Sequence, residues 1–462
     1  MSDVESRAGS ARRVGARRRL AAIGAIVLAL VVVVLTILFV SGAPAWFALQ
    51  LVLIAVAALS AWYAVTRVGG RRAIGFLIAA LALVGFVLAG LVNEGGGLAS
   101  VVIRVVALTI SLGLARYALA LDLRSLKSGD TPGVSVPPAG RGVLIMNLKS
   151  GGGKAEKHGL VEECRARNIE PIVLQPGDDL LEIAREAADR GADVIGMAGG
   201  DGSQALVATV AAERGLPMVV VPAGTRNHLA LDLGLDRKDV VGALDAFGEA
   251  RERPMDLAEV NGRVFVNNVS LGLYAVVVRS PEYRANKVDT TLATLPTVLA
   301  PGTGSFDLRF RSPDGHERSG AHVIQISNNP YGRTMGGLGS RPRLDTGLLG
   351  VITLEINGDR EAAQFLSALA GGHPERFAGF EAWSTPEFEV GSGGPIDIGL
   401  DGETFEMDPP LRFTIRPGAI RVRLPRHAIG FSPGALALDL RTAARSLWRT
   451  ALGKQAAVLP EP

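Results

Sequence analysis

The stretch Asp193-Val-Ile-Gly-Met-Ala-Gly-Gly-Asp-Gly-Ser203, with Val219-Val-Val-Pro-Ala-Gly-Thr-Arg-Asn-His228 after it, decides how this chain is read. Each is an apolar run entering a glycine-bearing turn, the pattern of a buried strand that turns into a helix. Gly199, Gly200 and Gly202 remove side chains where the backbone must turn sharply or let a ligand come close. The N–H groups that open the following helix suit phosphate. An acid in that turn, Asp201, would repel a bare phosphate, and becomes sensible when a cation such as Mg²⁺ sits between them. A plain tight turn of an α/β protein is the competing explanation.

Two other labels fail. Gly200-Asp-Gly-Ser-Gln-Ala205 matches a dinucleotide fingerprint in form, but the next strand, 217–221, runs into Pro-Ala-Gly-Thr without a ribose-binding acid. Ser150-Gly-Gly-Gly-Lys154 is not a P-loop, because Leu148 stands where its first glycine belongs and Ala155 replaces the Ser or Thr.

Taken together, the turns resemble the diacylglycerol kinase catalytic family, whose superfamily includes sphingosine, ceramide and NAD kinases. The resemblance is carried by Gly199-Gly-Asp-Gly-Ser203, Pro222-Ala-Gly-Thr-Arg-Asn227 and Met146-Asn-Leu-Lys-Ser-Gly-Gly-Gly-Lys154. Phe265-Val-Asn-Asn-Val-Ser-Leu-Gly272, Ser327-Asn-Asn-Pro-Tyr331 and Gly399-Leu-Asp-Gly-Glu403 follow in the family's order. The resemblance spans residues 140–425 and leaves the first 130 uncovered.

At 462 residues the chain is too long for one ordinary core. Its 48% hydrophobic content and mean hydropathy of +0.28 are high for a soluble enzyme, and the excess lies before residue 122. A net charge of +3 gives no reason to expect nucleic acid. Cys164 is the one cysteine, which forbids an internal disulfide, and the six histidines lack metal-ligand spacing. Residues 1–19 are arginine-rich and read as disordered. Four apolar runs follow, at 20–40, 45–66, 73–92 and 98–121. Each reaches the length of about 20 helical residues needed to cross a bilayer. The first is too long for a signal peptide. Basic residues flank the N-terminus, the second connection (Arg67, Arg71, Arg72) and the exit (Arg124, Lys127), which places both ends of the region in the cytoplasm. Arg104 and Arg116 then snorkel toward opposite interfaces.

The expected architecture is multidomain: a disordered basic N-terminus over 1–19, four transmembrane helices over 20–122 and a proline-bearing linker over 123–141. A Rossmann-like α/β parallel-sheet ATP-binding domain follows over 142–250, with helices after Lys154, Asp178, Ser203 and Asp239. A β-sandwich-like lipid-substrate domain occupies 251–425, with hairpin signals at Asn261-Gly262 and Asp314-Gly315 and a helix near 361–370. The tail, 426–462, holds a helix at 434–452 that lies on the protein or on the membrane.

The family resemblance implies an ATP- and Mg²⁺-dependent lipid kinase. Asn147, Ser150, Gly151, Lys154, Gly199, Gly200, Asp201, Gly202, Ser203, Gly224, Thr225 and Asn227 would bind nucleotide, with Asp201 on the metal. Asp401 would be the general base, with Glu403 beside it. The expected partners are a membrane lipid substrate and the bilayer, with no nucleic acid; a homodimer is left open. The expected location is the cell membrane, multi-pass, with the catalytic domain in the cytoplasm. Departures from the family pattern are Arg226, His228, Leu231 and Leu206, and Asp345-Thr-Gly-Leu-Leu-Gly350 lacks two acids of the family's metal loop, so no structural Mg²⁺ site is carried over. The alternatives are a non-catalytic nucleotide- or lipid-binding membrane regulator and an NAD kinase-like enzyme.

Overall fold

The computed structural model describes residues 15–42, 44–65, 70–92, 97–119, 131–272, 306–332, 339–356, 358–370, 373–436 and 440–454. The basic stretch before residue 15, residues 43, 66–69 and 93–96 in the connections between the apolar runs, and the first part of the linker lie outside the described residues. The chain divides into two compact units, one drawn from Met1–Leu121 and Leu438–Leu459, the other from Asp122–Thr291 and Pro301–Ala437.

The first unit is helical. Helices α1 (Ala16–Gly42), α2 (Pro44–Val65), α3 (Gly70–Val92) and α4 (Gly97–Leu119) cover the four apolar runs. α1 packs on α4, and α2 on α3. Small residues let the helices approach: Ala22 and Ala118 are fully buried, and a Cβ on Gly24 would stand 3.2 Å from Leu114. The Ser111 hydroxyl donates to the Ala25 carbonyl at 2.8 Å, tying α4 to α1. Large apolar side chains point outward instead, Leu30, Ile37, Leu81 and Leu112 among them. Among the described residues, Ala16–Leu38 and Val102–Leu119 are long and apolar enough to cross a membrane, while Pro44–Ala57 and Leu77–Phe86 are shorter apolar helices.

The second unit begins with β1 (Val134–Val136), inside the segment expected to be linker. Its Val-Ser-Val backbone pairs antiparallel with residues 250–252, so three residues of the expected linker are a sheet strand. Strands β2 (Gly142–Met146), β3 (Glu170–Val173), β4 (Val194–Ala198) and β5 (Pro217–Val221) form a parallel sheet in the order β3-β2-β4-β5. Around them lie α5 (Ser150–Lys157), α6 (Leu160–Ala166), α7 (Leu180–Asp189), α8 (Asp201–Arg214) and the short α9 (His228–Asp232). Separate apolar clusters cover the two sheet faces. α7 starts where Asp179 accepts from the N–H groups of Leu181 and Glu182. α8 stops at Gly215, whose φ of +63 favours glycine. The segment after Asp239 forms a 3₁₀ helix at Gly242–Phe247 rather than an α-helix.

The chain continues as β6 (Ala250–Val260), β7 (Arg263–Phe265), β8 (Asn268–Gly272), β9 (Arg309–Arg311), β10 (Glu317–Arg318), β11 (Val323–Asn328) and β12 (Leu349–Leu354). After α10 (Asp359–Ala370) come β13 (Phe380–Thr385), β14 (Glu387–Gly391), β15 (Ile396–Leu400), β16 (Glu403–Met407), β17 (Leu411–Pro425) and α11 (Pro433–Leu436). Six strands make an antiparallel sheet, β13-β12-β11-β8-β15-β16. It faces β6, β9, β14 and β17 across a core that includes Phe265, Phe310, Ile326, Val351, Phe388 and Phe413. The boundary expected at residue 250 is not a break in the sheet. β17 pairs with β14 at its start and runs parallel to β5 at its end, so one eleven-stranded sheet serves both domains. The last helix, α12 (Leu440–Ala451), packs against α1 and α4 in the helical unit.

Phe413 is fully buried, edge-on to Phe265 at 6.5 Å and tilted against Phe388 at 6.2 Å. Phe413→Ala should cost about 3–5 kcal/mol, read as a lowered thermal unfolding midpoint, whereas exposed Glu389→Ala should leave the midpoint nearly in place.

Candidate active site

Three turns converge at the carboxyl ends of the parallel strands. The first follows β2. The Asn147 N–H bonds the Ala198 carbonyl at 3.0 Å, and the Asn147 side chain accepts from the Lys149 N–H at 3.1 Å. Gly151, Gly152 and Gly153 then run in the left-handed region, with φ of +57, +77 and +79, so α5 becomes a right-handed helix only from Lys154. Gly151 cannot be replaced cheaply, because a Cβ there would sit 2.3 Å from the Ala223 carbonyl oxygen. Lys154 Nζ donates to the Gly224 carbonyl at 3.1 Å.

The second turn, between β4 and α8, touches the third, between β5 and α9. A Cβ on Gly224 would meet Gly200 Cα at 2.4 Å, so the two backbones are in contact. Gln204, buried in the first turn of α8, donates to the carbonyls of Met197 and Val221 at 2.8 and 3.3 Å, clamping the ends of β4 and β5 together. Asp201 reaches across to α9, its carboxylate accepting from the N–H groups of His228 at 3.0 Å and Leu229 at 3.2 Å. Both oxygens are thereby held, each with a lone pair left for a further partner.

Asp401 and Gly402, with φ of +49 and +93, form the hairpin between β15 and β16. The Asp401 carboxylate turns back into the protein and accepts three backbone N–H bonds, from Val266 at 2.8 Å, Asn267 at 2.9 Å and Asn268 at 3.1 Å. Burial nevertheless pushes its pKa up to about 7, opposed by the Val266 N–H and aided by the charge of Asp201. Glu403 comes within 3.2 Å of the position a Gly202 Cβ would occupy, and so lies at the N-terminus of α8.

These elements enclose a cleft of about 730 Å³. Of the residues expected from sequence, Asn147, Ser150, Gly200, Asp201, Gly202, Ser203, Thr225, Asp401 and Glu403 line it. Gly151, Lys154, Gly199, Gly224 and Asn227 do not; they build the turns behind it. Asn227 is buried, its amide N–H₂ bonding the carbonyls of Pro222 and Gly224 at 3.0 and 2.8 Å while its Oδ1 has no partner. Arg226 and His228 line the cleft where the family pattern has other residues. Burial lowers the His228 pKa, Arg226 adds to that and Asp201 opposes it, so the imidazole is neutral near pH 7. Among the described residues no three His, Cys, Asp or Glu side chains gather as a metal site. Asp345, in the loop that lacks the family's acids, pairs with exposed Arg343 at 2.9 Å.

Sequence reasoning missed Arg341. Fully buried, it pairs with Asp232 of α9 at 2.6 Å. It also bonds the carbonyls of Val266 at 2.5 Å and Asn328 at 2.8 Å, and the Asn267 side chain at 2.7 Å. Burial works against its charge, and Asp232 with Tyr331 and Asp401 together outweigh that, so its pKa lies above the ordinary arginine value. The segment it grips, 266–268, is the one whose N–H groups hold Asp401.

A diacylglycerol kinase catalytic domain model matches residues 141–260. A probable YegS-like lipid kinase of Pseudomonas aeruginosa is 30% identical over 291 residues, covering 61% of this chain and 94% of that protein. The chain belongs to the diacylglycerol kinase catalytic-domain family. A probable YegS-like lipid kinase of Cronobacter sakazakii is 28% identical over 294 residues, 61% of this chain and 95% of that protein. The crystal structure of a putative diacylglycerol kinase from Bacillus anthracis shares the fold, with a TM-score of 0.51 and 20% identity over 62% of this chain and 96% of that one. The family match begins at residue 141, after the four N-terminal helices.

Arg341→Met should be costly because it leaves Asp232 charged and buried without its partner, a loss of about 3–5 kcal/mol. The measurement is thermal unfolding, and adding Asp232→Asn to the same chain should recover a large part of the loss.

Proposed function

We propose that the protein is a membrane-anchored kinase that transfers the γ-phosphoryl group of ATP to the hydroxyl of diacylglycerol or a related lipid alcohol. The observation that carries this reading is the meeting in one cleft of the α8 N-terminus and the Asp401 carboxylate, whose pKa of about 7 fits a general base. The printed names of the relatives, probable lipid kinases, support a lipid as acceptor.

The free N–H groups at the start of α8 and the Gly200 and Gly202 backbone, which carries no side chain, would cradle phosphate. Ser203 and Thr225 add hydroxyls on the cleft wall, and Arg226 adds positive charge. Asp401 would take the proton of the lipid hydroxyl as its oxygen bonds to the γ-phosphorus and the bond from that phosphorus to the β–γ bridging oxygen breaks, releasing ADP. The donor set suits Mg²⁺, which binds through one or two carboxylates together with phosphates and water. Asp201, with its remaining lone pairs, and Glu403 beside Gly202 are the carboxylates that would hold it, and it would neutralise charge on the transferred phosphate. The acceptor would enter over Ile352, Phe380 and Trp383, the apolar part of the lining.

In this reading α1 to α4 all cross the bilayer. Their outward apolar side chains find lipid there rather than water, and the arginines at the start of α1 and the end of α4 set that end in the cytoplasm, where ATP is. Localisation is then multi-pass cell membrane.

Transfer of labelled phosphate from ATP into a total lipid extract tests the reading. Labelled lipid is expected; nucleotide binding without any labelled lipid would favour a non-catalytic regulator. Asp401→Asn should lower turnover by about 10²–10⁴-fold with ATP binding nearly intact. The wild-type pH profile gives the sign. A base must be deprotonated, so activity should be full above about pH 7 and fall as the pH drops through it, with the acid limb absent in the Asp401→Asn residual rate.

A further inference from the structure

α12 buries two small polar residues and leaves its tryptophan outside, an unusual division for a helix in water. Ser446 and Thr450, small and polar, are buried against α1 and α4 beside Leu447 and Ala451, which pack on Ala21, Ala22 and Ala118. Its aromatic residue faces outward instead: Trp448 is 59% exposed, and Leu452, just beyond the helix, is 53% exposed. Exposed Arg445 and Arg449 lie on the same outer side. Two hydrogen-bonded arginines fix where this happens. Arg18, in the first turn of α1, donates to the Ala118 carbonyl at the end of α4 at 3.0 and 3.2 Å, and Arg19 donates to the Ala451 carbonyl at the end of α12 at 2.9 Å. The start of α1 and the ends of α4 and α12 therefore meet at one end of the bundle.

Among the described residues that end carries a cluster of cations. Arg17, Arg19, Arg116, Arg445, Arg449 and Lys454 are exposed there, and α1, α4 and α12 contain no Asp or Glu. Tyr117 and Leu20 add exposed apolar surface next to them. Positive charge with aromatic rings at the end of apolar helices is the chemistry of the headgroup layer, where each cation near an anionic surface gains about 1 kcal/mol.

We propose that the outer face of α12, with the ends of α1 and α4, is a binding surface for anionic phospholipid headgroups. The inference rests on the reading of the helical unit as membrane-spanning. It adds a lipid site formed within that unit, separate from the residues that line the catalytic cleft.

The test uses the full-length protein in vesicles. Exposed Ala444 on the same face takes a cysteine-linked fluorophore (Ala444→Cys), and Cys164 does not compete, being buried with its thiol pushed up to about 12. Brominated phosphatidylglycerol should quench the label more effectively than brominated phosphatidylcholine at equal fraction, a preference of about fivefold for each engaged arginine. Arg445→Gln with Arg449→Gln should remove most of that preference and leave lipid-kinase activity toward a soluble short-chain acceptor unchanged. Equal quenching by the two lipids, or no quenching by either, in protein that resists alkaline extraction from the membrane overturns this inference alone. Release by alkali overturns the membrane-spanning reading and this inference with it.

Discussion

The geometry of the cleft depends on one buried guanidinium. Arg341 joins α9, at the end of the nucleotide side, to residues 266 and 267 of the second domain through Asp232, the Val266 carbonyl and the Asn267 side chain, and it also bonds the Asn328 carbonyl. Those residues in turn hold the Asp401 carboxylate. A buried ion pair need not add net stability over an apolar pair of the same shape. What it gives here is position. Arginine's planar fork fixes several acceptors at set angles, which a lysine or an apolar contact would leave free. The proposed base is thus placed by hydrogen bonds that begin on the opposite side of the cleft.

Two carboxylates of the cleft spend hydrogen-bonding capacity on backbone N–H groups, and the consequences differ. Asp201 stitches α8 to α9 and helps form the turn that would face phosphate. Asp401 accepts three such bonds and still has a raised pKa, because burial and the neighbouring Asp201 charge outweigh them. In the proposed mechanism a phosphate-binding turn and a proton acceptor would then come from the same residue type in one site.

Much of this was legible in the sequence. The strand–turn–helix units around Gly199 and Gly224 read from apolar runs and glycines alone, and the hairpins at Asn261-Gly262 and Asp314-Gly315 from their dipeptides. Other features were hidden for physical reasons. Arg341 sits in Ser340-Arg341-Pro342, where nothing local distinguishes a buried arginine from an exposed one; its partners are distant in the chain. Gln204 looks like an ordinary helix residue until β5 is known to lie beside β4. β1 was masked by prolines that favour a linker, although a short edge strand tolerates prolines around it. The domain boundary was placed where the pattern changes from alternating helices and strands to strands alone. Pattern reports covalent neighbours, and the shared sheet is made by residues 411–425 returning to β5. The burial of Ser446 and Thr450 in α12 follows from packing on α1 and α4, which periodicity cannot specify.

The shared strand has mechanical meaning. β17 is one piece of backbone laddered to β14, β6 and β5, and its irregularity between Arg416 and Ile420 is pinned by Asp256, which accepts from the N–H groups of Gly418 and Gly347 at 2.8 and 2.7 Å. Two lobes joined by a flexible tether can swing shut around a ligand. Lobes cut from a single sheet act more like the jaws of a casting, with a gap set when the chain folds. Exchange of the proposed nucleotide and lipid would then call for yielding loops at the rim rather than a hinge. The work of binding is accordingly freed from closing the enzyme and left for aligning the two reactants.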